Sequence, residues 1–181
     1  MKIKNILLTA MLAMLFSVSA LAKPFAVTGK VVYVDDGDTV VLLAYDQMQI
    51  KVRLSSIDAP ESSHTNKQTG RIGQPYSQNS SNFLSSMVKG KEVNARCFEQ
   101  DRYGRNVCEL FINGKSVNQE MVKQGWAWAN VDAKGRYLRD KTLPSLEKSA
   151  RASRSGLWAA GSPVAPWQWR DICWRQGLCK P

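Results

Sequence analysis

The sequence predicts an α+β fold, a five-stranded β-barrel of the OB type with about three helices packed outside it. Three observations support this prediction. The candidate elements run in the order of three strands, one helix, two strands and then further helices. The candidate strands are short and rich in β-branched residues, and clusters of Gly, Asp and Asn separate them. The chain is also long enough to enclose one core within a single domain.

The first 22 residues have the composition of a secretory signal peptide. Two lysines precede an almost unbroken apolar run from Ile6 to Val18, and Ala20-Leu21-Ala22 then matches the small-x-small cleavage rule. A membrane anchor is the alternative, but the run is shorter than the ~20 apolar residues that a span requires. We therefore expect residues 1–22 to direct export to the periplasm or the extracellular medium, with no membrane association.

Beyond the signal peptide, we expect a monomer with one folded domain over residues 23–160. Residues 161–181 are rich in Trp and hold two of the four cysteines, so we expect a tail packed on that domain. An even number of cysteines in an exported protein is typical of disulfides. Of the three possible connectivities we prefer the one with two local bonds, Cys97–Cys108 across a turn and Cys173–Cys179 around a small loop. A zinc site is disfavoured, because the spacings and the single histidine do not fit zinc ligands.

The charge of the chain predicts an anionic partner. Lysine and arginine outnumber the acidic residues 25 to 15, and the formal net charge is +10. The summed field of such a protein attracts polyanions. Nucleic acid, an anionic membrane surface and an acidic glycan are all candidates at this point, because charge alone does not distinguish them.

Three strand candidates open the domain. They are Phe25–Val34, Thr39–Tyr45 and Met48–Leu54. The turn between the first two reads Asp-Asp-Gly-Asp at positions 35–38, and Asp and Gly are typical turn residues. The third candidate alternates apolar and polar residues, which predicts that Arg53 lies on the face turned away from the core.

A polar segment, Glu61–Gly73, follows the strands; it has no periodicity, which predicts a mobile loop. A helix over Gln74–Val88 comes next. A strand pair, Lys91–Phe98 and Asn106–Ile112, then surrounds the turn Asp101–Arg105. Apolar residues at helical spacing predict two more helices further along the chain, one ended by a glycine at position 125 and one stopped near the glycine at position 156.

Five charged residues near these turns are candidates for chemistry. Asp38 and Asp58 come from two acidic turns, and carboxylates are typical ligands of a hard cation such as Ca²⁺. Arg53 and Arg105 are candidates for binding phosphate, because a planar guanidinium pairs with two phosphate oxygens. Glu61 could orient or deprotonate a water molecule. Taken singly, each residue is also an ordinary turn, surface or loop residue, and only the combination favours a catalytic site.

The combination resembles the staphylococcal nuclease (thermonuclease) family. Three segments carry the resemblance: Val-Asp-Asp-Gly-Asp-Thr at 34–39, Val-Arg-Leu with Ile-Asp-Ala-Pro-Glu within 52–61, and Asp-Arg-Tyr-Gly-Arg at 101–105. Their order and intervals match the family, and two of the predicted helices fall where the family has its first two. The resemblance covers about residues 27–158, most of the exported chain.

The resemblance implies a calcium-dependent nuclease on an OB-type barrel. Asp38 and Asp58 match the calcium carboxylates of the family, and Ala59 stands where a backbone carbonyl also binds calcium. The implied reaction is hydrolysis of phosphodiester bonds in DNA and RNA to products that end in 3′-phosphate.

The resemblance also implies the catalytic groups. Arg53 and Arg105 match the two catalytic arginines, Glu61 matches the catalytic glutamate, and Tyr103 matches an aromatic residue near the bound nucleotide. Single strands or frayed duplex ends should be preferred, because a pocket for one phosphate and one base reaches them more easily. The alternative is a non-catalytic OB-type module of the cell envelope that binds nucleic acid through basic and aromatic surface alone.

The sequence departs from the family after the second helix. Two tyrosines that contact nucleotide in the best-known member correspond to Val131 and Ala133 in an ungapped alignment. Trp126, Trp128 and Tyr137 lie nearby, and for the two tryptophans packing is as good an interpretation as base stacking. The cysteines and the tail also lie outside the family pattern.

Overall fold

A computed structural model describes residues 24–63 and 71–179 of the 181-residue chain. The predicted signal peptide, 1–22, and the middle of the predicted 61–73 loop lie outside the described residues. No helix in the described ranges is long and apolar enough to cross a membrane.

The strands in chain order are β1 (Phe25–Val34), β2 (Thr39–Ala44), β3 (Gln49–Leu54), β4 (Ile57–Asp58), β5 (Glu92–Gln100), β6 (Asn106–Ile112), β7 (Lys115–Ser116) and β8 (Trp128–Ala129). The helices are α1 (Ser77–Val88), α2 (Val117–Lys123), α3 (Asp132–Gly135), α4 (Leu143–Ala152) and α5 (Pro166–Trp169). A 3₁₀ turn covers Gly156–Ala160, and a π-helical turn covers Arg170–Arg175.

The sheet closes into a barrel of the five strands β1, β2, β3, β5 and β6. Its antiparallel pairs follow the order β3-β2-β1-β5-β6, and a parallel pairing of β3 with β6 completes the circle. The predicted OB-type α+β fold is therefore confirmed. The predicted ends differ by up to about three residues, since the first helix begins at Ser77 rather than Gln74.

Alternating apolar residues of the strands fill the barrel. Val31, Val40, Leu42 and Val52 are fully buried, as the two-residue period of a strand with one inward face requires. The helices cover the barrel with their own apolar residues; Leu84 and Met121, for example, are fully buried. The main core thus lies inside the barrel and between the barrel and the helices that cover it.

A second, smaller core lies where the later helices meet the tail. Trp128 and Trp158 pack edge to face with ring centroids 5.2 Å apart, and Ala165 of the tail is buried with them. Trp126 packs against Phe83 at 6.1 Å. The packing interpretation of the two tryptophans is therefore the right one, and the tail is anchored by this cluster.

Both disulfides have the pairing that the sequence favoured. Cys97 and Cys108 lie opposite each other on β5 and β6. Cys173 and Cys179 close a short loop at the far end of the tail. Disulfides of this kind are typical of oxidising compartments.

Asn118 ties the parallel β3–β6 closure to α2. Its side chain is buried; Oδ1 accepts from the Leu110 amide at 3.0 Å, and Nδ2 donates to the carbonyls of Ser55 at 2.9 Å and Cys108 at 3.3 Å. The Ser55 amide also donates to the Cys108 carbonyl at 2.7 Å. One amide side chain therefore satisfies three buried backbone groups at the seam of the barrel.

Asn118→Ala should lower the free energy of unfolding by about 3 kcal/mol, because it leaves buried backbone groups without partners. Urea unfolding of the disulfide-bonded protein measures this loss. Asn82→Ala is the matched control, since Asn82 is exposed on α1 and should change stability by no more than about 0.5 kcal/mol. A loss below about 1 kcal/mol for Asn118→Ala would contradict the role given to Asn118.

Candidate active site

The acidic turn between β1 and β2 is held tightly against α1. The Asp35 amide donates to the Thr39 carbonyl at 2.9 Å, and the Asp38 amide donates to Asp36 Oδ1 at 3.0 Å. A Cβ at Gly37 would lie 2.1 Å from Ser80 Oγ. Only glycine fits this approach, so the sequence Asp-Gly-Asp fixes where Asp38 points.

Asp38 and Asp58 are both buried, and both pair with Arg53. Arg53 Nη1 lies 2.5 Å from Asp38 Oδ2, and Nη2 lies 2.8 Å from Asp58 Oδ1. The Ala59 amide also donates to Asp38 Oδ2 at 2.8 Å. Arg53 is on the outer face of β3, as predicted, but its side chain is only 15% exposed because the two turns cover it.

The turn Asp101–Arg105 brings the second predicted arginine to the same place. Asp101 Oδ1 accepts from the amides of Tyr103 and Arg105, and Oδ2 accepts from Arg105 Nε at 2.8 Å. Arg105 Nη1 then reaches Thr39 Oγ1 at 3.4 Å, and that hydroxyl donates to Asp38 Oδ1 at 3.2 Å. A continuous set of polar contacts thus joins Arg105 to Asp38 and Arg53.

Glu61 lies on the other side of Asp58. Its amide donates to Gln74 Oε1 at 3.2 Å, and its carbonyl accepts from the Gln74 amide at 2.7 Å, so the two residues bring residues 61 and 74 together. The Glu61 carboxylate pairs with Arg170 of the tail. Arg170 also donates to both oxygens of Asp58, from Nη1 at 3.3 Å and from Nη2 at 2.8 Å.

These groups line an open cleft of about 880 Å³, which also contains two exposed tyrosines. Tyr103 is 67% exposed, and the Arg105 guanidinium lies 5.4 Å from its ring centroid. Tyr137, whose position in the family pattern the sequence left open, lines the same cleft and is 49% exposed. Both rings are accessible for stacking on a base.

A family model described as staphylococcal nuclease homologue matches residues 51–160.

The chain belongs to the staphylococcal nuclease family.

Relatives cover most of the chain. A protein of Escherichia coli O157:H7 named as an uncharacterized endonuclease is 38% identical over 143 residues, which are 78% of this chain and 84% of that protein. A Haemophilus influenzae protein with the same description is 36% identical over 167 residues, 92% of this chain and 85% of the relative. A staphylococcal-like nuclease of Arabidopsis thaliana is 38% identical over 122 residues, 67% of this chain but 33% of that protein.

In this staphylococcal nuclease homologue, the predicted site residues lie around one cleft. Asp38, Asp58, Arg53 and Glu61 join through direct or shared contacts, and Arg105 reaches them through a hydroxyl. Sequence reasoning missed Arg170 entirely. The tail offered no periodicity or turn signal that would aim one of its arginines at the site.

Asp38 and Asp58 are of the ligand type that a hard cation takes, and in the described structure their oxygens pair with Arg53 and Arg170. Asp38 and Asp58 supply carboxylates, and the Ala59 carbonyl follows directly. Over the described ranges, no three or more His, Cys, Asp or Glu side chains lie close enough together to hold a metal ion. A cation bound by two carboxylates and one carbonyl would therefore keep several water ligands.

Burial shifts the acid–base behaviour of the carboxyls. It raises the pKa of Glu61 from 4.5 to about 6; Arg170 opposes this shift, and the charge of Asp58 adds to it. Burial also raises the pKa of Asp38, against the opposing effect of Arg53. A carboxylate whose pKa is near 6 accepts a proton more readily at neutral pH than an ordinary glutamate does.

The raised pKa of Glu61 predicts a pH-dependent stability effect in the presence of a chelator. The folded protein binds this proton more tightly than the unfolded chain, so the stabilisation is complete below 4.5 and is lost as the pH rises through about 6. Glutamine does not titrate, so the stability of Glu61→Gln does not include this pH-dependent loss. The stability of the variant relative to wild type should therefore increase by about 2 kcal/mol between pH 4 and pH 7, measured by urea unfolding. A difference independent of pH would contradict the raised pKa.

Proposed function

We propose that the protein is an exported, calcium-dependent nuclease that hydrolyses phosphodiester bonds of DNA and RNA to 3′-phosphate products. The observation that carries the proposal is the position of Arg53 between the buried carboxylates of Asp38 and Asp58, with Arg105 one hydroxyl away. The endonuclease and nuclease names of the relatives support the same activity.

The two arginines would bind the scissile phosphate. Arg53 lies on β3 and Arg105 directly precedes the adjacent strand β6, and guanidinium pairs with phosphate oxygens in a fixed geometry. Negative charge on the phosphoryl oxygens increases in the transition state, so fixed positive groups lower the barrier. Arg105 is held for this task by Asp101, which contacts both its backbone and its side chain.

Glu61 would accept a proton from the attacking water. Its carboxylate is at the edge of the cleft, and its raised pKa suits a general base near neutral pH. The 5′ oxygen would leave and the 3′ oxygen would keep the phosphate. Calcium held by Asp38, Asp58 and the Ala59 carbonyl would supply further positive charge beside the phosphate.

Nucleic acid would enter as a single strand or a frayed end. Tyr103 and Tyr137 offer stacking surfaces in the cleft, and stacking does not distinguish the bases. Basic residues elsewhere would hold the strand through its phosphates, so binding should weaken as salt increases. A single phosphate position between the arginines would suit an unpaired strand better than a duplex.

The domain organisation is part of the proposal. Residues 1–22 would be removed on export, residues 23–160 would form the nuclease domain, and 161–181 would be a tail packed on it. The two disulfides fit an oxidising compartment such as the periplasm or the medium. We propose that the protein acts as a monomer without membrane association.

The first test is cleavage by the purified, disulfide-bonded protein. We expect it to cut single-stranded DNA and RNA with Ca²⁺, to stop when a chelator is added, and to produce ends that carry 3′-phosphate. Absence of cleavage with any divalent cation would reject the enzyme. Salt-sensitive binding without cleavage would instead support the alternative, a non-catalytic OB-type module.

Substitution tests the two chemical roles. Glu61→Ser and Arg105→Gly should each lower the cleavage rate at least ~10²-fold with the fold intact, the size of effect expected when an acid–base or electrostatic group is lost. Arg154→Gln is the matched control, because Arg154 is exposed beyond the end of α4 and does not line the cleft. A loss of less than tenfold in either variant, with circular dichroism unchanged, would refute the role given to that residue.

A further inference from the structure

Residues 164–179 cross the edge of the candidate active site, and we refer to them as the strap. Ala165 is buried in the second core, and Trp167 packs against the same cluster. The chain then forms α5 and the π-helical turn Arg170–Arg175, and the Cys173–Cys179 disulfide closes its far end. π-Helical turns of this kind are frequent at functional sites. The strap is thus built into the fold on both sides of Arg170.

The strap is bound to the chain just before α1. Gln74 Nε2 donates to the Val164 carbonyl at 2.6 Å. The indole nitrogens of Trp169 and Trp174 both donate to the Ile72 carbonyl, at 3.3 Å and 2.9 Å. The Arg71 guanidinium lies 5.0 Å from the Trp174 ring centroid. Four contacts therefore fix the strap on a stretch of four residues.

The same stretch, residues 71–74, also holds Glu61 in place through hydrogen bonds. Gln74 exchanges two hydrogen bonds with Glu61, one through its backbone amide and one through its side-chain oxygen. The amide group of the Gln74 side chain thus links Glu61 to the strap, since its nitrogen contacts Val164. Through Gln74 the strap holds the backbone of Glu61, and through Arg170 it holds the carboxylate.

Arg170 places a positive charge between two carboxylates, Asp58 and Glu61. Asp58 and Glu61 repel each other, and Arg53 contacts only one oxygen of Asp58. Arg170 spans both groups, with two contacts to Asp58 and one to Glu61. A planar guanidinium fixes the relative direction of two carboxylates in a way that a lysine ammonium does not.

We propose that Arg170 is a positioning residue of the nuclease site, and that the strap delivers it to hold Glu61 against Asp58 in the orientation that the reaction requires. The inference rests on the proposed function, because it assigns the residue that orients the proposed general base. The competing role is a latch. Arg170 contacts both oxygens of Asp58. As a latch, it would compete with calcium for that carboxylate, and calcium would have to displace it before the site became active.

Steady-state kinetics on single-stranded DNA with Ca²⁺ separate the two roles. For Arg170→Gln we expect kcat to fall at least about tenfold while KM changes less than about threefold, since misplacing a catalytic group by about 1 Å can cost up to ~10²-fold. Arg170→Lys keeps the charge but not the fork, so its kcat should lie between those of wild type and Arg170→Gln. Arg175→Gln is the matched control. Arg175 lies in the same helical turn, is 76% exposed and pairs with Asp171 within the strap.

Amide exchange of the same variants, measured by NMR in a chelator, tests the positioning without the reaction. In Arg170→Gln the amides of Glu61 and Gln74 should exchange at least about fivefold faster, because their mutual hydrogen bonds lose one support of the strap. The Leu110 amide, bonded to Asn118 in the barrel, should not change. Arg175→Gln should leave all three amides as in wild type.

The outcomes distinguish this inference from the proposed function. If wild type does not cleave but Arg170→Gln still accelerates exchange at Glu61 and Gln74, the nuclease proposal fails while the positioning contact stands. If wild type cleaves and Arg170→Gln is as active or more active, or needs less Ca²⁺ for half-maximal rate, Arg170 is a latch and the inference is overturned. Unchanged exchange at Glu61 and Gln74 also overturns it.

Discussion

The parallel pairing of β3 with β6 holds the barrel and the site together. Without it the sheet would be open, with β3 at one edge and the turn that holds Arg105, just before β6, several strands away. In register, Arg53 lies opposite Val107, so the turn that ends in Arg105 stands beside Arg53. Asn118 stabilises this closure, because its side chain donates to the Ser55 carbonyl after β3 and to the Cys108 carbonyl of β6. Barrel closure therefore places the turn that holds Arg105 beside Arg53.

The site places three carboxylates close together, and their mutual repulsion destabilises the fold. Asp38, Asp58 and Glu61 are all withdrawn from water, and burying a carboxylate is unfavourable unless it is paired. Arg53 and Arg170 supply that pairing from opposite sides of Asp58. The same burial that destabilises the carboxylates raises the pKa of Glu61 toward the range in which a base works. Stability and reactivity are thus opposed at these residues.

Much of the barrel and the placement of most site residues could be predicted from the sequence because their signals are local. Asp38 follows a Gly-Asp turn, Arg53 occupies an outward position in an alternating strand, and Arg105 ends a turn signal. What brings them together is barrel closure, which the order of elements predicts. Arg170 could not be found in this way, since its partners lie 109 and 112 residues earlier and no repeating pattern marks it.

The distance along the chain between Arg170 and its partners gives the protein an order of assembly. Synthesis proceeds from the amino end, and domains begin to fold as they emerge. The barrel strands, the last of which ends at Ile112, and both Asp58 and Glu61 are synthesised before residue 170, which lies 109 positions after Glu61. A barrel at that stage has Arg53 at the site but no strap to orient Glu61. On the positioning proposal, the chain becomes an effective nuclease only after its last residues have folded onto the barrel.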